Sequence, residues 1–412
     1  MLPPVLEIYV VWHPADAEGC IIAKRIVDHF HGTAFSGLIG GAIEVYARSE
    51  GWSRSDDAPR PLPWWDNNPI SGVEQPSFVA VVPILGVGMA KAVQKDGPWK
   101  AYVSAFAQAR AAGPDRVGIF PYRLDARATD GTTLSEILGN FQCIATSLNS
   151  PTEEAIPDIC RDLSQGVAQL LRRNSSRLKV FISHTKRSSA GSEGYIQALI
   201  AAVREVIGNT RLQEFFDARD LQPGCDWDTE LRFEASTSAL LSLRTDLYPS
   251  RAWCQREVLI AKCSGMPVIT MDAIETGEER GSFLMDHVPR VPVRRDDGNW
   301  RKADIHKGLN VLVDECLKRA LWQRQEELAI ARGPGINIAW WAPHAPEPAT
   351  LAEQLDAWKN AGRSPAGTVR ILHPDPPLGP DELKVLNQIA SLAGISGGLD
   401  IMTPRLLAAR GG

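Results

Sequence analysis

The stretch Ser250-Arg251-Ala252-Trp253-Cys254-Gln255-Arg256-Glu257 decides how the middle of this chain is read. Ser250 suits a helix N-cap, because a short hydroxyl side chain can accept from an otherwise orphaned backbone N–H. Trp253 and Glu257 stand four apart and so share one helix face. Upstream, Arg219-Asp220-Leu221-Gln222-Pro223-Gly224 reads as a tight loop, since proline presets φ and glycine tolerates the positive φ of a sharp turn. Further upstream, Leu178-Lys179-Val180-Phe181-Ile182-Ser183-His184-Thr185 is a short apolar run ending in hydroxyls, the pattern of a buried strand.

Working outward, strand 178–184 leads to a Ser- and Gly-rich loop over 186–194. A helix over 193–207 follows, with Ile196, Leu199, Ile200, Val203 and Ile207 on one stripe. Leu212–Asp217 reads as a strand feeding the Pro-Gly loop and Trp227–Ser236 as a helix. Ala239–Leu243 and Pro267–Met271 are further strands, placed on either side of the Trp253/Glu257 helix. Short apolar strands alternating with helices predict an α/β fold with a flavodoxin-like parallel sheet.

The same alternation appears on both flanks. In residues 1–150, Glu7–Trp12, Phe78–Leu85 and Arg116–Pro121 read as strands, and Ala101–Ala111 as a helix. An earlier helix carries Ile21, Ile22, Ile26 and Phe30 on one side, and 49–75 reads as a long surface loop. This is a Rossmann-like α/β unit. Residues 151–177 read as a connecting helix with Ile159, Leu163, Val167 and Leu171 in register. Ala331-Arg332-Gly333-Pro334-Gly335 marks a boundary. Beyond it, 336–412 reads as a small βαβαβ unit, with strands at 336–341, 369–372 and 399–402 and helices at 348–361 and 380–393.

At 412 residues the chain predicts two or three domains. An apolar content of 44% and a charged content of 23% are those of a soluble globular protein. A net charge of −5 and the lack of a basic stripe argue against a nucleic-acid partner. The run Leu171-Arg172-Arg173 reads as a solvated helix end. Seven cysteines at 20, 143, 160, 225, 254, 263 and 316 form no C-x-x-C pair. Their odd number suggests neither a disulfide framework nor a zinc cluster, so a reducing cytoplasm is expected. No segment approaches the ~20 apolar residues that span a bilayer, so no membrane association is expected.

Three motifs in this order, a buried strand, a Pro-Gly loop and a Trp-Cys-x-x-Glu helix, resemble the TIR (Toll/interleukin-1 receptor) domain family over residues 178–330. The resemblance implies one of two functions. The enzymatic branch of the family cleaves the bond joining nicotinamide to ribose in NAD, using a glutamate that here aligns with Glu257. The other branch consists of non-enzymatic adaptors or scaffolds, which associate through the Pro-Gly loop, called BB. The resemblance further places a nucleotide against Phe181 and Ser183, and against Asp217 and Arg219 at the loop's base, with Trp253 on the face of Glu257. NAD is then a substrate, and no separate cofactor is implied. It also implies self-association through this domain, activation by oligomerisation, and a place in bacterial antiviral defence alongside an unknown trigger or partner protein.

Chemistry makes a single carboxylate sufficient for the first branch. Cleavage passes through an oxocarbenium-like state, and nicotinamide leaves as a neutral group from a cationic precursor, so a general acid is not required. Two positions depart from the family pattern: Lys179 stands where many relatives carry an acidic residue, and Ala252 where many carry serine. The N-terminal unit, although TIR-like in order, lacks both the loop and the Trp-Cys-x-x-Glu helix, which leaves it recognition or assembly. Gly86-Val87-Gly88-Met89-Ala90-Lys91 follows a strand but matches neither glycine fingerprint for phosphate, so a tight turn is expected. His29 and His31 lack a third metal ligand at useful spacing. His373–Gly379 reads as a rigid turn and Trp340-Trp341 as packing.

Overall fold

The computed structural model describes residues 4–37, 42–49, 62, 75–144, 156–173, 176–185, 193–215, 227–278, 280–331, 337–363 and 367–410. It is an α/β protein that divides into two compact units, 1–175 with 320–331, and 176–319 with 332–412.

In the first unit, β1 (Leu6–Val11), β2 (Ile43–Ala47), β3 (Phe78–Leu85) and β4 (Val117–Ile119) form a parallel sheet in the order β2-β1-β3-β4. The short β5 (Tyr122–Arg123) also pairs with β3. All eight residues of β3 are buried, which is why the strand reads as a continuous apolar run. The helix Ala17–His31 buries Ile22, Ile26 and Phe30, whereas Ile21 is exposed. It falls one position outside the buried arc. The helix Ile156–Arg172, expected as a connector, groups with this unit and buries Ile159, Leu163, Val167 and Leu171. The last turns of the long helix Lys302–Ala331 belong to the same unit.

Of the stretch Gly86–Lys91, expected as a tight turn, only Gly86 lies outside a helix; Val87–Lys91 opens the helix Val87–Gln94 directly after β3. Its N-terminal amides are already occupied: Asp16 accepts from Gly88 N–H at 2.7 Å and from Met89 N–H at 3.0 Å. A carboxylate from the same chain therefore fills the place an anion would take.

In the second unit, β6 (Lys179–Ser183), β7 (Gln213–Phe215), β8 (Ala239–Arg244), β9 (Val268–Asp272) and β10 (Arg290–Pro292) form a parallel sheet in the order β10-β9-β8-β6-β7. In chain order this is the 2-1-3-4-5 arrangement of flavodoxin-like sheets. The fifth strand, β10, has no counterpart in the sequence pattern, because its three residues are too few to show a period. Side chains alternate across the sheet. Val180 and Ile182 join one core with the helices Glu193–Gly208 and Lys302–Ala331. Phe181 and Leu240 join the other, with the helices Trp227–Thr237 and Ala252–Cys263.

A second parallel sheet in this unit, β11 (Trp340–Trp341), β12 (Val369–Leu372) and β13 (Leu399–Met402), is covered by the helices Pro348–Asn360 and Pro380–Leu392. A buried ion pair ties it to the larger sheet's layer. Lys262 Nζ donates to Glu347 Oε1 and Oε2 at 2.8 and 3.0 Å, and to the Asp286 carbonyl at 2.6 Å.

Candidate functional site

In open parallel sheets, ligands bind beyond the C-terminal strand ends where the strand order reverses. Here that point lies between β6 and β8, since the chain moves from β6 outward to β7, then returns past it to β8. Ser183 ends β6, and the register pairs it with Ser242 of β8, which in turn pairs with Thr270 of β9. Ser183, Ser242 and Thr270 are buried and form a row of hydroxyls across three strands on one face of the sheet. Ser242 Oγ and Thr270 Oγ1 are 2.7 Å apart.

The helix Ala252–Cys263 lies over this face. Cys254, Val258 and Ala261 are its buried stripe, packed against Phe181 and Leu240. Burying a side chain of this kind contributes about 1.5–3 kcal/mol for the larger ones, which sets the helix's rotation about its axis. Glu257 adjoins that stripe and is half-buried. Ser183 Oγ donates to Glu257 Oε2 at 2.5 Å. Tyr248, on the loop after β8, is buried, with its hydroxyl 2.6 Å from Ser183 Oγ. Because the serine proton goes to the carboxylate, the tyrosine hydroxyl donates. Burial first, then the nearby Cys254 and Glu257, holds the Tyr248 phenol well above its ordinary pKa, so it stays a donor.

The helix start differs from expectation. Arg251, not Ser250, is the N-cap, and no side chain caps it. The Ser250 hydroxyl instead donates to the Leu247 carbonyl at 2.9 Å, and Gln255 Nε2 closes the same turn on the Pro249 carbonyl at 2.6 Å. The helix ends at Gly265, whose φ of +68° lets Met266 N–H reach back to the Ala261 carbonyl at 2.8 Å. Asp246 fixes the neighbouring loop, accepting from the backbone N–H groups of Glu275 and Thr276 at 2.8 and 3.0 Å. Burial raises its pKa, but these bonds and the Thr276 hydroxyl outweigh it and hold the carboxyl below its ordinary value.

The residues expected at the site divide clearly. Ser183 and Glu257 come together. Trp253 is 43% exposed, with the Arg256 guanidinium 5.1 Å from its ring centroid. Phe181 is a correction: it is 1% exposed and packs edge-on against Phe215 at 5.6 Å, so it shapes the core beneath the site and presents no surface to a ligand. Asp217, Arg219 and the loop Arg219–Gly224 lie outside the described residues. Cys254 is buried and donates weakly to the His184 carbonyl at 3.7 Å. Lys179, out of pattern in the first strand, forms an ion pair with buried Glu234 at 2.5 Å. Tyr248 and Ser242 have no motif of their own. Their one signal is position, Ser242 inside the buried strand β8 and Tyr248 on the loop that follows it.

No protein-family model matches the chain, and no curated protein matches it. Among solved structures, it is similar to tagatose-6-phosphate ketose/aldose isomerase from Escherichia coli, with 10% identity over 78% of this chain and 84% of that one and a TM-score of 0.20. A likeness that slight carries no argument about fold or function. Among the described residues, no helix is long and apolar enough to cross a membrane.

Proposed function

We propose that this chain is a TIR-type enzyme that cleaves NAD to nicotinamide and ADP-ribose, or a cyclic form of it, with Glu257 as the essential carboxylate. One observation carries the reading: a half-buried glutamate on the Trp-Cys-x-x-Glu helix is held by a buried serine at the point where the strand order reverses. In the reaction, the bond between the anomeric carbon and the pyridinium nitrogen breaks. Its electron pair leaves with nicotinamide and neutralises the ring. Water, or a nucleophile of the same molecule in the cyclic case, then adds at the anomeric carbon and a proton is released. Glu257 stabilises the positive charge that develops on the sugar. Ser183 fixes one carboxylate oxygen, and exposed Trp253 offers an aromatic face beside it. Activity rises with self-association in this proposal, and the N-terminal unit, whose turn is filled by Asp16, serves recognition or assembly.

The test is nicotinamide release from NAD by the purified chain over a range of protein concentrations, beside Glu257→Gln. Release by the wild type alone is the expected result. Equal release by both proteins, or self-association with no release from either, would replace the enzyme with the adaptor reading.

A further inference from the structure

The last turn of the helix that carries Glu257 borders a cavity of about 220 Å³ within the second unit. One wall is Lys262 and Cys263. The opposite wall is Thr350, Glu353, Gln354 and Ala357, whose spacing of three, one and three places them on a single helix face. The same helix already buries Leu351, Leu355 and Trp358 in the core of its own sheet. The polar stripe is therefore separate from the face that packs. Trp340 and His344 close the space between the walls.

The charge of this cavity selects its ligand. Lys262 is already held by the two Glu347 oxygens and the Asp286 carbonyl, and Glu347 offsets its charge. Burial lowers His344 to about 4, so its ring is neutral. Its Nε2 lies 3.1 Å from the Lys262 carbonyl and donates to it, which leaves Nδ1 as an acceptor. Desolvation, then Glu353 and Glu347, pushes the thiol of Cys263, itself an exposed residue, up to about 11, and Glu353 adds a carboxylate to the lining. Phosphate is disfavoured here, and hydrogen-bond donors are favoured.

We propose that this cavity binds a small, phosphate-free nitrogen heterocycle carrying an amide or amino group. The ring would lie beside Trp340, with its donors toward Glu353 and Gln354. The volume is that of about seven waters at ~30 Å³ each, below the roughly 300 Å³ at which drug-sized pockets begin. It suits one ring and a substituent. Cys263 lies about 9 Å along the helix axis from Glu257, at ~1.5 Å per residue. Binding itself does not depend on the proposed NAD chemistry.

The experiment is ligand-observed NMR titration of the full chain with nicotinamide and with adenine, in parallel with nicotinamide mononucleotide and AMP. Expected is saturable binding of at least one free heterocycle, at least about tenfold tighter than its phosphorylated counterpart. Ala357→Trp, which fills the cavity, and Glu353→Gln each weaken it about tenfold or more, and Glu257→Gln leaves it unchanged. Glu353 and Ala357 are exposed helix positions, and unchanged thermal unfolding certifies the variants. If Ala357→Trp disturbs folding, Gln354→Leu takes its place. No binding up to about 5 mM, binding indifferent to the cavity variants, or binding lost with Glu257→Gln overturns the proposal.

Discussion

Replacing Ser183 with alanine removes the hydroxyl through which Tyr248 reaches Glu257. The bond from serine to a carboxylate is worth about 1.5–3 kcal/mol. Ser183 is 1% exposed, so its hydroxyl meets the carboxylate from the buried side. If that bond holds the carboxylate where the sugar cation forms, Ser183→Ala lowers kcat by roughly 10–150-fold at ~1.4 kcal/mol per tenfold. KM moves by less than about threefold, because the lost interaction matters most when charge develops. Tyr248→Phe removes a neutral bond one step further away, worth about 0.5–1.5 kcal/mol, and costs roughly 2–12-fold in kcat. The two losses are not multiplicative, since Tyr248 acts on Glu257 through Ser183. Initial rates of nicotinamide release at limiting and saturating NAD measure all four members of this cycle. Wild-type kcat in Ser183→Ala, or strict multiplication in the double variant, would refute the positioning role.

Three further outcomes follow from packing and titration. Lys262→Met strands Glu347 in a buried site and should destabilise the second unit by about 3–5 kcal/mol in urea unfolding, most of it recovered in Lys262→Met/Glu347→Leu. His344 titrates near 4 when folded and near 6.5 when unfolded, so the unfolded chain takes up the proton first as pH falls. Stability should therefore drop between about pH 6.5 and 4, by at most ~1.4 kcal/mol per pH unit, and His344→Gln should flatten that slope. In the first unit, Gly86→Ala would place its Cβ 2.3 Å from Asp16 Cγ. It should displace the carboxylate from the helix amides and lower thermal stability by about 0.5–2 kcal/mol, with little additional loss on top of Asp16→Ala.

Local order was legible in the residues because it has a period. The runs at 78–85, 178–184 and 267–271 read as buried strands, and strands form at Phe78–Leu85, Lys179–Ser183 and Val268–Asp272. The four-residue spacing of Trp253 and Glu257 set their common side before any packing was known. Within the turn at 250–255 the same reasoning chose the wrong cap, because the Leu247 carbonyl competes for the Ser250 hydroxyl, and a propensity does not weigh that. Phe181 was misassigned for a related reason. Its motif position implies a ligand, but it lies on the same face of β6 as Ser183, two residues further from the strand end, where the helix Ala252–Cys263 packs over it.

Contacts between distant residues have no period and leave no trace in a pattern. Ser183 meets Tyr248 across 65 positions and Glu257 across 74, and Lys262 meets Glu347 across 85. Each depends on strand order, on helix rotation fixed by a buried stripe, and on which polar groups lose water together. The family resemblance could therefore nominate Glu257 and Ser183, while the bond between them, the tyrosine behind that serine, and the cavity at the helix's far end exist only once the strands have paired and the helices have packed.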